Sequence, residues 1–136
     1  MQIKILNIID EAKCYEMLRE VRWCQGVQCV NCSSMEVVKN GHDENHLDKQ
    51  RYQCKSCLKN FDDLTGTIFS GSNLTFKIWV ITLYLMGLNL SNQQIAKELE
   101  ISIPSAQRIT TVLREGIVKK NLIYNLNKKL RQTKYT

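Results

Sequence analysis

With 136 residues, a formal net charge of +6 and six cysteines, the chain has room for one ordinary domain or two small modules, and a module of about 40 residues rarely folds without a metal or a disulfide. Its N-terminus, Met1-Gln2-Ile3-Lys4-Ile5-Leu6-Asn7, lacks the basic stretch, apolar core and cleavage site of a secretory signal, so the cysteines read as thiols in a reducing cytoplasm. The longest apolar run, Ile78 to Leu88, spans 11 residues and contains Thr82 and Gly87. About 20 are needed to cross a bilayer, so neither a transmembrane helix nor a membrane partner is expected.

The first predicted element is a helix from Asp10 to Val21. Asp10 suits the N-cap, Glu11 suits the positive end of the helix dipole, and Ala12, Tyr15, Leu18 and Val21 can form one apolar stripe covering the segment that follows. Trp23 is placed to pack on a hairpin, and Gly26 permits a turn with positive φ.

Cys29-Val30-Asn31-Cys32 and Cys54-Lys55-Ser56-Cys57 are two C-x-x-C pairs separated by 21 residues. That spacing lets Cys29, Cys32, Cys54 and Cys57 close tetrahedrally on one structural Zn²⁺. A redox dithiol would instead require one pair at a helix N-terminus in a βαβ setting. Cys14 reads as a buried helix residue and Cys24 as a spare thiol beside the first knuckle. Between the pairs, Met35–Lys39 reads as a strand, Asn40-Gly41 as a turn, and Arg51–Cys54 as the return strand. His42 and His46 fall in a polar loop and read as surface residues, because four cysteines already complete a tetrahedron. Phe61 is placed to pack beneath the ribbon. Asp62 and Asp63 read as solvated loop residues, since neighbouring acids in a turn diverge and no third acid or histidine joins them.

Helix grammar dominates from Ser72 onward. Thr75 is a candidate N-cap for a mostly buried helix of about 12 residues ending at Gly87, with Leu74 and Trp79 spaced as a hydrophobic staple. Ser91-Asn92-Gln93-Gln94 is a capping box for a second helix to Leu99. After the tight turn Glu100-Ile101-Ser102, Ser102 and Pro104 begin a third. Helix, short turn and helix form a helix-turn-helix pattern, although Glu100 stands where glycine is common. On the third helix Ala106, Ile109, Thr110, Leu113 and Ile117 should pack inward. Ser102, Ser105, Gln107, Arg108 and Thr111 face outward as groups able to hold phosphates or read base edges, until Glu115 would repel phosphate. The alternative is a three-helix packing unit without a ligand.

Residues 1–118 hold 13 basic and 13 acidic side chains, so the whole excess resides in Lys119, Lys120, Lys128, Lys129, Arg131 and Lys134. Such a tail attracts polyanions by counterion release; a solvated, frayed C-terminus is the plain alternative.

Trp23-x-x-Gly26-x-x-Cys29-x-x-Cys32, Arg51-Tyr52-x-Cys54-x-x-Cys57-x-x-x-Phe61, Thr65-Gly66-Thr67-Ile68-Phe69, Trp79 and Ile95-Ala96-x-x-Leu99 with Ala106 together resemble the N-terminal region of bacterial insertion-sequence transposases. Those proteins carry a zinc ribbon and helix-turn-helix ahead of a DDE-type catalytic domain. The resemblance implies that the four cysteines bind zinc and that the helices help recognise the element's terminal repeats in double-stranded DNA. Cys24 stands where the family commonly has proline. Residues 119–136 contain no acid, whereas the family's first catalytic carboxylate follows soon after the helices.

The expected fold is a small α+β chain: a helix plus zinc ribbon, a β-hairpin with two Cys knuckles, over 9–69; an all-α helix-turn-helix module over 72–118; and a basic C-terminal tail over 119–136. The expected function is that of a cytoplasmic, nucleoid-associated, zinc-dependent DNA-binding module, truncated before the catalytic domain and not itself an enzyme, with no small-molecule substrate. Self-association, a separately encoded transposase that it targets to DNA, or a protein-interaction role for the ribbon are the alternatives.

Overall fold

The computed structural model describes residues 9–42, 44, 47–70, 74–119 and 122–132, which form two compact units. The first covers 11–73. The second is helical, extends from Leu74 onward and includes Ile9 against its core.

In the first unit, α1 (Glu11–Arg22) has Glu11 in its first turn and Arg19 and Arg22 in its last, charges that complement the helix dipole. It buries Cys14, Tyr15 and Leu18, while Ala12 and Val21, expected on the same stripe, are half-buried. Three strands follow, β1 (Val37–His42), β2 (Gln50–Cys54) and β3 (Asn60–Asp62), in an antiparallel sheet of order β1-β2-β3.

Two expectations for the sheet are corrected. Asn40-Gly41 is no turn: both residues lie inside β1, where the register passes from Lys39 opposite Tyr52 to His42 opposite Gln50. Two residues thus face the single Arg51, a bulge that Gly41 accommodates at φ 77°. The Gln50 side-chain amide donates to the Gly41 carbonyl at 2.8 Å and anchors the bulge. The strand β3 was not expected, because three residues are strand only through their pairing with β2. His42 is exposed at the end of β1, and His46 lies outside the described residues.

The core of this unit is aromatic. Phe61 packs with Tyr52 and with Trp23, with ring centroids 5.3 Å and 6.1 Å away respectively, and the Arg22 guanidinium lies 4.4 Å from the Trp23 ring. Gly26 takes the expected positive φ of 100°.

The helical unit contains α2 (Phe76–Gly87), α3 (Asn92–Leu99), α4 (Ile103–Val118) and α5 (Leu122–Gln132). Seven side chains of α2 are buried, which makes it the central helix. Its buried Thr82 hydroxyl is satisfied by the Ile78 carbonyl at 2.8 Å. Thr75 occupies the N-cap position, but its side chain makes no capping bond. The capping box of α3 forms as expected: Gln94 N–H donates to Ser91 Oγ at 3.2 Å, and Ser91 N–H donates to Gln94 Oε1 at 2.8 Å. Ser91→Ala should therefore lower the stability of the helical unit by about 1 kcal/mol, read as an earlier urea midpoint with an unchanged slope.

Glu100 ends α3 in the left-handed conformation at φ 57°, the backbone that glycine would favour at this position. Ile101 N–H bonds back to the Ala96 carbonyl at 3.0 Å, closing the turn into α4. Ala106, Ile109, Thr110 and Leu113 are buried as expected; Gly116 joins them, and Ile117 is only half-buried.

The segment treated as a basic tail contains a packed helix. Ile123 and Leu126 of α5 are buried, and α5 approaches α4 closely enough that a Cβ on Gly116 would fall 2.2 Å from Ile123 Cδ1. Charge counting hid this helix, because it weighed Lys128, Lys129 and Arg131 and passed over the apolar Leu122, Ile123, Leu126 and Leu130 of the same segment.

Candidate metal centre and recognition helix

The two knuckles are built alike. In the first, Ser33 N–H bonds to the Cys29 carbonyl at 3.0 Å and Cys29 N–H to the Ser34 carbonyl at 2.9 Å. In the second, Leu58 N–H bonds to the Cys54 carbonyl at 3.0 Å and Cys54 N–H to the Lys59 carbonyl at 3.0 Å. Both reverse direction through a left-handed residue after the second cysteine, Ser33 at φ 65° and Leu58 at φ 66°. The hydroxyls of Ser34 and Ser56, 2.8 Å apart, link the two turns.

The turns bring four sulfurs together. All four Sγ atoms lie within 4.8 Å of one another, with Cys29 and Cys57 at 3.6 Å and Cys32 and Cys54 at 3.5 Å. Thiolates about 2.3 Å from one zinc would be about 3.8 Å apart in a tetrahedron, so the set fits such an ion. Backbone donors also converge on the sulfurs: Asn31 and Cys32 N–H on Cys29 Sγ at 3.3 and 3.4 Å, and Cys57 N–H on Cys54 Sγ at 3.5 Å. The Cys57 N–H bond pulls the Cys54 thiol down to about 6, and a backbone bond from Lys59 lowers Cys57. Cys32 is drawn down by its Ser34 backbone bond, but hydrogen bonding with Cys54, burial, Cys29 and Cys57 outweigh it and leave that thiol at about 12. Four thiolates so close repel one another, and a dication relieves the repulsion. The four cysteines are thus positioned to bind a metal ion. Cys24 is exposed and outside the cluster, and Cys14 is buried in α1.

A further correction concerns Asp63, which is fully buried rather than solvated. Its Oδ1 accepts from Tyr52 Oη at 2.7 Å and Trp23 Nε1 at 3.3 Å, and its Oδ2 from Gln50 N–H at 2.9 Å and Arg19 Nε at 3.0 Å. Arg22 Nη1 donates to the Asp63 carbonyl at 2.6 Å, and Arg22 Nη2 donates to the Thr65 carbonyl. Burial, then the bond to Asp63, raises the Tyr52 pKa, and burial lowers that of Arg22 against the pull of Asp63 and Asp62. One carboxylate thereby ties α1 to β2 behind the aromatic core. The signal for it was Arg19, Arg22 and Trp23 clustered at one helix end, donors in need of an acceptor. Asp62 caps the adjoining turn, its Oδ1 accepting from Leu64 N–H at 2.8 Å and Thr65 N–H at 3.0 Å.

On α4 the structure places Gln107, Arg108 and Thr111 in solvent. Ser102 caps the helix, its Oγ accepting from Ser105 N–H at 3.2 Å and lying 2.8 Å from Ser105 Oγ. Thr111 donates its hydroxyl to the Gln107 carbonyl at 2.8 Å. Buried Thr110 donates to Asn92 Oδ1 at 3.0 Å and so braces α4 against α3. Lys119 is exposed at the end of α4, Lys128 and Arg131 are exposed on α5, Lys129 is half-buried, and Lys120 lies outside the described residues. Arg131 Nη2 lies 4.0 Å from where a Cβ of Gly87 would be, beside the C-terminus of α2.

Fold and site define a metal-binding ribbon domain joined to a helical unit that carries a helix, turn and helix. Residues 9–60 match the family described as the transposase zinc-ribbon domain. Over 105 residues the chain is 31% identical to the uncharacterized protein in transposable element ISH50 of Halobacterium salinarum, an alignment covering 76% of this chain and 35% of that protein. The chain thus spans about a third of that relative's length. No solved structure matches.

Proposed function

We propose that this chain is a zinc-dependent DNA-binding module acting in recognition of insertion-sequence ends. One structural Zn²⁺ is held by Cys29, Cys32, Cys54 and Cys57 in a closed tetrahedron that leaves no position for a reacting water. The DNA reading rests on one observation above all: the first half of α4, Ile103 to Thr111, exposes Gln107, Arg108 and Thr111 with no acid among them. Arg108 can address guanine bidentately and Gln107 adenine, while Ser102, Ser105, Lys119, Lys120, Lys128, Lys129 and Arg131 supply phosphate contacts. No cleavage chemistry is assigned to this segment.

Arg108→Ala tests the reading on zinc-loaded protein and a panel of single-base variants of a selected duplex. Discrimination should fall by about 1–3 kcal/mol at one base position only, whereas loss of a mere phosphate contact would weaken all sequences alike. A module that only binds proteins would be indifferent. That second reading has its own support in Val30 and Leu58, 43% and 67% exposed at the two knuckles, a place where a separately encoded transposase could dock.

A further inference from the structure

We infer that Ile103 is a specificity-determining residue that reads the methyl group of a thymine, an inference that rests on the DNA-binding reading above. Ile103 is the first residue of α4, follows its N-cap Ser102, and is 42% exposed although it is fully apolar. The neighbouring Ile101 is turned into the helical core, so apolar surface in this turn has a place to be buried that Ile103 does not use. Ile103, Gln107 and Thr111 stand four residues apart along one row of the helix, and the latter two are exposed polar groups.

A row that presents an aliphatic group, then a carboxamide, then a hydroxyl matches what the major groove displays. There only thymine offers a hydrophobic group, its C5 methyl, beside the donors and acceptors that Gln107 and Arg108 can address. A β-branched side chain on the first turn is also stiff, so it loses little freedom on contact.

The test uses the full zinc-loaded chain and a duplex enriched from a random library by that protein. Each thymine is replaced singly by deoxyuridine, which removes only the methyl, and affinities of the wild type and Ile103→Ala are measured by fluorescence anisotropy. One replacement should weaken wild-type binding about fourfold, the value of one buried methyl-sized group, while the variant binds the thymine and uracil duplexes equally. An enriched site without a preferred thymine, a wild type indifferent to every replacement, or a variant as methyl-sensitive as the wild type overturns the inference while leaving DNA binding standing. Failure of the wild type to enrich any duplex overturns both readings. Exposure of Ile103 and the high helix propensity of alanine keep the variant folded, which circular dichroism checks.

Discussion

Cys54→Ser should abolish metal retention and unfold residues 11–73. Cys54 is fully buried and its sulfur lies 3.5 Å from that of Cys32, so a serine leaves three thiolates around an incomplete site. Structural zinc contributes roughly 10–16 kcal/mol of apparent binding free energy in small zinc modules, as much as or more than the roughly 5–15 kcal/mol that stabilises a whole domain. A small ribbon has no other source of comparable size. The two tryptophans separate the outcomes, because Trp23 belongs to the ribbon core and Trp79 is buried in α2. In an NMR spectrum of the variant the Trp23 indole should collapse to its random-coil position, with the Trp79 signal reporting how far the loss spreads into the helical unit, and metal analysis should find close to no zinc. A variant that keeps its zinc and a native Trp23 signal would contradict the assignment.

Asp63→Ala should cost the ribbon unit about 3–5 kcal/mol, the magnitude typical of breaking a buried charged network from one side. The loss comes mainly from Gln50 N–H, Tyr52 Oη and Trp23 Nε1, whose acceptor disappears. Arg19 contributes less, because its side chain is 30% exposed and can turn to water. Asp63→Asn should recover little, since an amide NH₂ would face two of the donors. Zinc-loaded protein unfolded in urea gives the comparison, and a midpoint shift worth under 1 kcal/mol would show that the network is not needed.

What could be read from the chain was what is local. C-x-x-C spacing fixes knuckle geometry within four residues, and the Ser91 and Ser102 caps act within one helical turn, so the cysteine cluster and the starts of α3 and α4 were legible. The left-handed residues that complete the knuckles were not, because Ser33 and Leu58 take positive φ where sequence habit looks for glycine. Asp63 was misread for a different reason: its partner Arg19 is 44 residues away, and nothing beside Asp63 announces burial. The Asn40-Gly41 signal is a true preference for positive φ, spent on a bulge because the loop to β2 is too long for a tight hairpin. The helix α5 depends on the missing side chain of Gly116, a fit between two helices that neither displays alone.

The central claim, zinc-dependent DNA binding, is tested most directly by anisotropy of a labelled duplex titrated with the protein at several salt concentrations, with and without a strong zinc chelator. The account predicts affinity for the zinc-loaded chain that falls linearly in log–log form as salt rises, with a slope near 0.9 per phosphate neutralised, and that is lost on chelation. Binding by the zinc-loaded chain that is absent or insensitive to salt would contradict it.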